Sequence, residues 1–552
     1  MRTSPEIIAI RAVNEWRQYD VLAQLGVRLY LDNPCAIMNR WANEVCVRQV
    51  MGEKNSCYHS TFHFKDLRQN GTFEYRRIHI PAPTEIMAEA ALLHQCSLAR
   101  SGMRNADCVY SYRLPYADDS RGVFAPYFAG YRQRHNAIAR ACESNRNGVV
   151  VYTDIQKFYA SITSAIAEEA WTNATRDAAL AGWVKKLGCN LLEKHALAGS
   201  DCGEHILTGP MFSHLIANLV LKCVDDVMQN VLPGGYFRYV DDFALVGDIQ
   251  NVQKAESVLI SELGKIDLTL HPKKRCEVTA EHWLHGKDDF SEDPSPESWK
   301  VFVVSMRQML LRHPNCNRAF VEQFSKVGFR IVPIDYSAVV NERSYLWKMR
   351  HLWSWKQWRM MMRHNTVQNI VTQGLILRQR YRKSYEKEIA IVAELQGFDR
   401  KRCIHALRHS VGRLVYLEEP GRLSAMAESL RNIPEMRLFA SVYDAMATLD
   451  VSRLIQYGVN SVQAASQPLK AMGGALRCNI QNWSEELLQG RAVLLAHGLM
   501  LDEQGSAQIP SHPMTAFCGW TSKTGDVAAR NTFLGRLACL HGYDEERRHA
   551  TI

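Results

Sequence analysis

The segment Tyr236–Gly247 constrains the fold of this chain more than any other. It reads Y-F-R-Y-V-D-D-F-A-L-V-G, so two short apolar, aromatic-rich runs flank the adjacent carboxylates Asp241 and Asp242. Two such runs joined by a two-residue turn predict a β-hairpin. Neighbouring carboxylates at a hairpin tip repel each other, and hard cations bound between them would remove that repulsion. A solvated acidic turn is the alternative, and only the rest of the chain can separate the two interpretations.

Length and composition indicate a globular protein of two or more domains. The 552 residues exceed what one core usually supports, and 47% of them are hydrophobic. The net charge of +9 mildly favours a polyanionic partner. The 15 cysteines lack metal-binding spacings, which is typical of reduced thiols. Charges near the start exclude a signal-peptide core, and no apolar run could span a membrane, so a cytoplasmic protein with no membrane partner is predicted.

A third carboxylate follows a predicted buried strand. The run Gly148–Asp154 reads G-V-V-V-Y-T-D. An aspartate at the end of an apolar strand is held rigidly, which suits a metal ligand, and the backbone carbonyl of Ile155 could add another oxygen. Five residues after Asp154, the Tyr159 ring could lie under the sugar of a nucleotide and exclude a 2′-hydroxyl. Core packing of Tyr159 or of its neighbour Phe158 is the alternative.

The segment Thr208–Ser213, T-G-P-M-F-S, predicts the start of one long helix. Gly209 permits a sharp entry, and Pro210 suits a first helical turn. A loop of small residues before a helix lets a base pair and a template strand pack closely, although a plain helix start has the same pattern. Further along the same helix, Asp225 and Asp226 lie off the apolar stripe and are predicted to be solvated.

Basic residues occur where phosphates could bind. The predicted strand Phe73–Pro81 carries Arg76 and Arg77, whose guanidinium groups could grip a triphosphate; an edge strand protected by charge is an equal alternative. Lys274, in a turn after L-T-L-H-P-K, could meet a leaving pyrophosphate or be simply exposed. A further predicted helix, Phe124–Ala141, is expected to present its arginines to solvent: Arg132, Arg134 and Arg140.

The order of these motifs resembles the palm of reverse transcriptases. A strand ends in Asp154 with an aromatic residue five positions on, and a G-x-x-x-S helix start, an aromatic-x-D-D hairpin and L-x-L-x-P-x-K follow in turn. The resemblance covers roughly residues 73–278. Val240 in the hairpin favours this family over RNA-copying RNA polymerases, which usually have glycine there. Thr208 departs from the family's common glutamine, which bears on template handling but not on metal chemistry.

The resemblance implies an α+β fold: a right-hand polymerase with fingers and a βαββ palm sheet, followed by an all-helical C-terminal domain. It implies that Asp154, Asp241 and Asp242 are the catalytic carboxylates. Together with the Ile155 carbonyl they would bind two Mg²⁺ ions, with Mn²⁺ as an alternative metal.

The same resemblance assigns nucleotide-binding roles to several residues. Tyr159 matches the family's steric gate for deoxynucleotides, and Lys274 matches the lysine of the later motif. Arg76 fits the finger arginine that contacts the triphosphate slightly better than Arg77 does. Gly209 matches the glycine at the helix start. The family's F-L-G primer-grip motif has no good match in this chain.

Four segments are predicted along the chain. Residues 1–70 form an N-terminal helical extension, residues 71–148 the fingers, and residues 149–290 the palm. After an acidic linker, residues 299–552 form a helical domain that is thumb-like, built of helical repeats, or both.

A basic segment, Arg343–Lys383, lies in this last domain and has no acidic residue between Glu342 and Glu386. Tryptophans are interleaved with its cations, and such a segment can hold single-stranded nucleic acid by charge and stacking. Packing of the tryptophans in a helical core is the alternative. The predicted nucleic-acid contacts are Lys348, Arg350, Lys356 and Arg359, and the segment also includes Arg378 and Arg382.

No ribonuclease H, integrase or His/Asn nuclease motif is recognisable. A palm followed by a long helical half resembles the bacterial abortive-infection and other defence-associated reverse transcriptases. The predicted activity is RNA-directed or template-independent DNA synthesis from dNTPs in antiphage defence, with a non-coding RNA template, a DNA product or both as partners. A homo-oligomer is compatible with the sequence. An intron maturase-like reverse transcriptase and a non-catalytic nucleic-acid-binding scaffold are the alternatives.

This hypothesis depends on one distance. Two-metal catalysis needs carboxylates that share a metal pair spaced about 4 Å apart. The polymerase hypothesis fails if Asp154 lies more than about 12 Å from Asp241, roughly three times that spacing.

Overall fold

The computed structural model describes residues 8, 11–16, 47–52, 58–68, 70–99, 102–115, 122–286, 298–333 and 366–510. The chain divides into two compact units. The first comprises Met1–Thr61 and Arg77–Ser291, and the second comprises Phe62–Arg76 and Glu292–Ile552. Helices and strands both occur, and none of the helices in the described ranges combines the length and the apolar composition that crossing a bilayer requires.

The first unit is built from helices around one sheet. Its described helices are α1 Val47–Gly52, α2 Pro83–Leu98, α3 Tyr127–Ser144, α4 Phe158–Ser161, α5 Ser164–Asp177, α6 Gly182–Gly199, α7 Met211–Val220, α8 Lys222–Val231, α9 Ile249–Gly264 and α10 Ala280–His285. Helices α5, α9 and α10 are each capped by the side chain that precedes them. These side chains accept a hydrogen bond from an N–H group in the first helical turn, and they belong to Thr163, Asp248 and Thr279 respectively. Such caps satisfy helix N–H groups that have no partner within the helix.

A two-stranded sheet lies between α1 and α2 in the chain. Strand β1, Tyr58–Leu67, pairs with β2, Phe73–Pro81. The predicted strand over residues 73–81 is confirmed in both of its bounds. Helix α2 begins two residues after β2, with Pro83 in its first turn, where a proline costs no hydrogen bond.

The central sheet of the first unit has four antiparallel strands in the order β4-β5-β3-β6. These strands are β3 Val149–Asp154, β4 Tyr236–Tyr239, β5 Asp242–Gly247 and β6 Cys276–Thr279. Strands β4 and β5 form the predicted hairpin. From Phe243 to Gly247, β5 is buried at every position, as expected for a strand covered on both faces. Helices α3, α9 and α10 pack against this sheet.

Three local expectations for this region were incomplete. The predicted long helix after Gly209 is divided at Leu221 into α7 and α8. Strand β6 was not predicted, because four residues with a single buried side chain leave no periodic pattern. The run Val109–Arg113, V-Y-S-Y-R, also favours a short strand, but Val109 forms only an isolated bridge to Arg238, which covers the outer edge of β4.

The second unit is mainly helical. Its described helices are α11 Trp299–Arg312, α12 Asn317–Val327, α13 Val367–Ile391, α14 Gly397–Leu417, α15 Leu423–Arg431, α16 Arg437–Thr448, α17 Gly458–Met472 and α18 Glu485–Ala496. Successive helices pack as neighbours, α13 with α14, α15 with α16, and α17 with α18. Short connections favour such antiparallel neighbours.

The prediction that this half is all-helical was wrong in one respect. Strands β7, Ala475–Arg477, and β8, Met500–Asp502, form a parallel pair, and α18 lies in the connection between them. Parallel strands need a crossover of this kind. Each strand has three residues and only Leu476 is buried, so the sequence carries no alternating pattern that predicts them.

Candidate active site

Three carboxylates meet at one end of the central sheet. Asp154 ends β3 and Asp242 begins β5, and the two residues are directly opposed in the antiparallel register. Opposed residues in such a ladder have Cα atoms about 5 Å apart. The Ile155 N–H donates to the carbonyl oxygen of Asp241 at 3.2 Å, so the hairpin turn lies against the end of β3. Residues more than 80 positions apart in sequence are therefore brought together.

The electrostatics of this cluster are those of crowded negative charge. Burial first, and then repulsion from Asp242 and Asp154, raise the pKa of Asp241 to about 6. Asp154 is 8% exposed, and its Oδ1 atom has no hydrogen-bond partner among the described residues. Its Oδ2 atom forms an ion pair with Nζ of Lys274. Lys274 thus lies beside the acidic cluster with a half-exposed side chain, and its contact with a pyrophosphate stays a prediction.

The donor set suits Mg²⁺. Carboxylate oxygens are the hard ligands that this ion prefers, and a buried oxygen without a partner leaves a coordination position open. A divalent cation would also relieve the repulsion that raises the pKa of Asp241. Ile155 is 2% exposed, and the use of its carbonyl as a ligand remains a prediction.

The hairpin turn holds Val240 in a left-handed backbone conformation, with φ of 56°. For a β-branched residue this conformation costs about 1–2 kcal/mol. Two hydrogen bonds fix it. The Val240 N–H donates to Ser111 Oγ at 2.7 Å, and Arg238 Nη1 donates to the Val240 carbonyl at 2.9 Å. The position of Asp241, the next residue, is set by these contacts.

Arg238 is itself held by a buried carboxylate, Asp225. The Arg238 Nε and Nη2 atoms donate to the two carboxylate oxygens at 2.7 and 2.6 Å, and the Tyr236 hydroxyl donates to Oδ1 at 2.8 Å. Arg238 and Asp225 are 1% and 2% exposed. The prediction that Asp225 is solvated was therefore wrong, because tertiary pairing overrides its place off the helix stripe. The signal was Arg238, since an arginine inside an apolar strand must find a buried partner.

A second buried arginine reaches the cluster from α3. Arg134 is 6% exposed, and its Nη2 atom donates to the backbone carbonyl of Asp242 at 3.1 Å. It was expected on a solvated face, which is wrong for this residue, whereas Arg132 and Arg140 are exposed as predicted. Nothing in the local sequence distinguishes the three arginines, because only packing of α3 on the sheet decides which one points inward.

Tyr159, the predicted gate, is hydrogen-bonded to a histidine that the sequence did not indicate. Its hydroxyl lies 2.6 Å from Nδ1 of His214 on α7. Burial lowers the pKa of His214 to about 3, so the ring is neutral. Tyr112 stacks on this imidazole, with ring centroids 3.8 Å apart and planes 6° from parallel. A histidine in the apolar run M-F-S-H-L-I was the only available signal.

Gly209 is required by backbone geometry. Its φ is 121°, which L-residues with a side chain rarely adopt. A Cβ atom there would lie 2.7 Å from both the His79 carbonyl and Cγ2 of Ile78 on β2. The His79 N–H also donates to the Thr208 carbonyl at 2.8 Å. The predicted sharp turn at Gly209 is therefore also the place where the start of the helix contacts β2.

The two predicted triphosphate arginines differ in environment. Arg76 is exposed and belongs to the second unit, whereas Arg77 is half-buried in the first. Burial, followed by the charge of Arg77, lowers the pKa of His79 to about 4. The same arginine partly offsets a rise that burial causes in the pKa of Glu204. Triphosphate contact by Arg76 or Arg77 stays a prediction.

The basic segment of the second half is described only in part. The four predicted nucleic-acid contacts lie outside the described residues: Lys348, Arg350, Lys356 and Arg359. Two arginines near the end of the segment have structural roles. Arg378 is 8% exposed and donates to the Val327 and Leu417 carbonyls, and Arg382 is ion-paired with Glu418. These two are not available to nucleic acid.

Comparison with known proteins gives little further information. No protein-family model matches the chain, and no curated protein matches it. Among solved structures, telomerase from Candida albicans in complex with the TWJ fragment of telomeric RNA matches with 9% sequence identity and a TM-score of 0.28. The match covers 72% of this chain and 67% of that chain. A similarity at this level establishes neither fold family nor function, so the residues of the site must support any assignment.

Proposed function

We propose that this protein is a DNA polymerase of the reverse-transcriptase type, with a right-hand arrangement of fingers and palm in its first unit. The observation that carries the proposal is the meeting of Asp154, Asp241 and Asp242 at one end of an antiparallel sheet. Nucleotidyl transfer by paired metals needs this kind of carboxylate cluster. A structural role does not account for this cluster, because the three negative charges repel one another.

The reaction would be attack of a primer or protein hydroxyl on the α-phosphate of a dNTP. Asp154, Asp241 and Asp242 would hold the metal ions. Two bound Mg²⁺ ions would supply activation of the attacking hydroxyl and charge stabilisation of the leaving pyrophosphate. The remaining chemistry belongs to side chains of this chain.

Lys274 has a specific place in this scheme. In the structure its ammonium group neutralises Asp154, where a cation would bind. With metal ions held by the carboxylates, Lys274 would be free to donate a proton or a hydrogen bond to the pyrophosphate. Its half-exposed side chain has the freedom to move between these positions.

Tyr159 would select the sugar. Its ring lies in the short helix α4, just beyond the end of β3, and its hydroxyl is held by His214. A ring fixed in this way would clash with a 2′-hydroxyl and favour dNTPs over rNTPs. Arg76 or Arg77 on β2 would bind the triphosphate through paired N–H donors.

The decisive experiment measures incorporation of labelled dNTPs by the purified chain with Mg²⁺, over a panel of RNA, DNA and primer-free conditions. We expect incorporation by the native chain and its loss in Asp241→Ala. Asp226→Ala is the matched control, because it removes an exposed carboxylate on α8 and should leave the rate unchanged. Absence of incorporation by the native chain under every condition would favour the non-catalytic scaffold.

We further propose a role in antiphage defence, which rests on the long helical second half and on the lack of a recognisable nuclease motif. Sequencing the nucleic acid that co-purifies with the chain tests this role. A short non-coding RNA or a DNA product would support it, whereas intron RNA would support a maturase. Loss of protection against phage in Asp241→Ala cells, compared with Asp226→Ala cells, would link the role to the site.

A further inference from the structure

A second group of metal-type ligands lies in the first unit, apart from the three aspartates. His79 on β2 and two residues of the loop after α6, Cys202 and Glu204, each offer one ligand atom. These three atoms all lie within 4.8 Å of one another. No sequence pattern indicates the group, because His79 is more than 120 residues away from the other two.

Two of these atoms lack the partners that buried polar groups normally have. His79 is 2% exposed, and its Nδ1 atom lies 3.8 Å from Oε2 of Glu204. That separation is too long for a hydrogen bond. Neither atom has a hydrogen-bond partner in the part of the chain that the structure describes. A buried imidazole nitrogen that points at a carboxylate without bonding to it needs an explanation.

The loop that supplies the other ligands is tightly built. Ser200–Cys202 forms one 3₁₀ turn, and the Glu204 N–H donates to the Gly199 carbonyl at 3.0 Å. Gly203, between the two ligands, has a φ of 69°. A Cβ atom on Gly199 would lie 2.0 Å from the Glu204 carbonyl, so the approach is possible only with glycine. The loop thus places Cys202 and Glu204 on the same side, facing His79.

The geometry points to a site for Zn²⁺, with Nδ1 of His79, Sγ of Cys202 and a carboxylate oxygen of Glu204 as ligands and a water molecule in the open fourth position. Zinc is bound at about 2.0–2.3 Å by nitrogen, sulfur and oxygen atoms in a tetrahedral arrangement. In a tetrahedron of that size the ligand atoms are roughly 3.3–3.8 Å apart. The three side chains would reach this spacing by a small movement towards one another from their present separations. A sulfur and a nitrogen ligand disfavour Mg²⁺.

Charge balance and position agree with such a site. One thiolate and one carboxylate would neutralise the zinc ion, so the bound ion would add no net positive charge near Arg77. The ion would tie β2 to the loop that leads through Thr208 into α7. Arg77 lies two residues before His79 on the same face of β2, so the site would also fix the strand that carries it.

The test uses the purified full-length chain, stripped with a chelator and titrated with Co²⁺ in place of Zn²⁺. We expect near-ultraviolet absorption from a sulfur–cobalt bond, and this absorption should saturate at one equivalent of Co²⁺ bound at this site per chain. Cys202→Ser should abolish this absorption, and Glu204→Gln should weaken binding by about 10-fold or more. Zn²⁺ should raise the Tm of the native chain but not that of Cys202→Ser.

Cys189→Ser is the matched control, because it removes another exposed cysteine of the same region and should leave the spectrum unchanged. Asp241→Ala should show the same sulfur–cobalt absorption as the native chain, so the outcome is independent of the polymerase proposal. Equal Co²⁺ binding and equal spectra in the native chain and Cys202→Ser would overturn the site, as would a native chain that binds no Co²⁺. Circular dichroism of each variant verifies that it is folded.

Discussion

At the scale of single residues, Tyr159 shows how a hydrogen bond from the hydroxyl group can fix the position of an aromatic ring. The hydroxyl is bonded to His214, and that imidazole is stacked on Tyr112. Because the imidazole of His214 is neutral, only one of its two ring nitrogens carries a proton. The other nitrogen can accept a hydrogen bond. The hydroxyl of Tyr159 is thereby bonded to a neutral side chain.

We predict that Tyr159→Ala admits ribonucleotides. The efficiency of rNTP relative to dNTP incorporation should rise about 10- to 200-fold, the range expected when steric discrimination at a pocket is lost. Single-nucleotide extension assays with each substrate measure the ratio. Tyr159→Phe is the control, because it keeps the ring and should retain most of the discrimination. An unchanged ratio in Tyr159→Ala would show that another residue excludes the 2′-hydroxyl.

Asp241 makes the pH dependence of stability predictable. Its pKa is raised to about 6 in the folded chain, so the ionised form is less favourable there than in the unfolded chain. This penalty is absent below the unfolded pKa of about 4, grows as the pH rises towards 6, and is complete above pH 6. The substitution Asp241→Asn puts a neutral side chain at this position and removes the penalty.

We therefore predict that Asp241→Asn stabilises the metal-free protein at pH 8, by about 1–3 kcal/mol, with a smaller gain as the pH approaches 5. Added Mg²⁺ should raise the Tm of the native chain and not that of the variant. Thermal unfolding at several pH values, with and without Mg²⁺, measures both effects. A variant that is less stable than the native chain at pH 8 would contradict the assigned repulsion.

At the scale of elements, one buried ion pair joins helix α8 to the hairpin of β4 and β5. Asp225 on α8 binds Arg238 on β4, and Arg238 binds the Val240 carbonyl in the turn. Asn218 on α7 also accepts from Arg238 Nη1 at 3.0 Å. Two helices thus fix the turn that presents Asp241, and the strained Val240 conformation is held from outside the hairpin.

We predict that Asp225→Ala costs about 3–5 kcal/mol, because it leaves the buried Arg238 charge without its partner. Asp226→Ala, one residue along and exposed, should change stability by no more than about 0.5 kcal/mol. Urea unfolding of both variants gives the comparison. Similar stabilities for the two variants would mean that Asp225 does not hold the hairpin.

The junction between β2 and α7 provides a second prediction at this scale. Gly209→Ala should cost more than about 2 kcal/mol, because the added Cβ meets the His79 backbone and the φ value is unfavourable. Gly234→Ala is the matched control. Its φ of 70° is also positive, but a Cβ there meets nothing within 4 Å, so a cost of about 1 kcal/mol is expected. Equal destabilisation in the two variants would mean that the positive φ alone, and not the contact with His79, causes the loss of stability.

At the scale of the whole molecule, the net charge of +9 predicts salt-sensitive binding of nucleic acid. The logarithm of the affinity for single-stranded RNA should fall linearly with the logarithm of the salt concentration. Each phosphate contact contributes about 0.7 to that slope for single strands. The basic segment Arg343–Lys383 is the strongest candidate for these contacts on sequence grounds.

We predict that alanine at four of its cations reduces the slope by about 3 when each contributes one contact. These cations are Lys348, Arg350, Lys356 and Arg359. The control replaces four exposed cations of the same half and should leave the slope nearly unchanged: Arg318, Lys326, Lys387 and Lys401. Fluorescence anisotropy at several salt concentrations measures the slope. An equal reduction in both variants would assign the effect to net charge.

The fold around the acidic cluster was predicted in part from local pattern. Strands β2 and β3, the hairpin of β4 and β5, and the helical segments of α3, α7 and α8 follow from apolar periodicity and turn residues, which act within a few positions of each other. The meeting of Asp154 with Asp241 was also expected, since both lie where apolar strands end. The short strands β6, β7 and β8 could not be predicted, because three or four residues are too few to show a period.

By itself, the sequence predicted the hairpin at Asp241 and Asp242, the strand that ends in Asp154 and the sharp turn at Gly209, since each depends on residue type and local backbone geometry. Only the tertiary structure decided which charges are buried and what they bind. Asp225, Arg134 and His214 each have a partner distant in the chain, and His79 faces ligands from a separate loop. The energy of a buried polar group depends on its neighbours in space, and a local sequence pattern does not specify those neighbours.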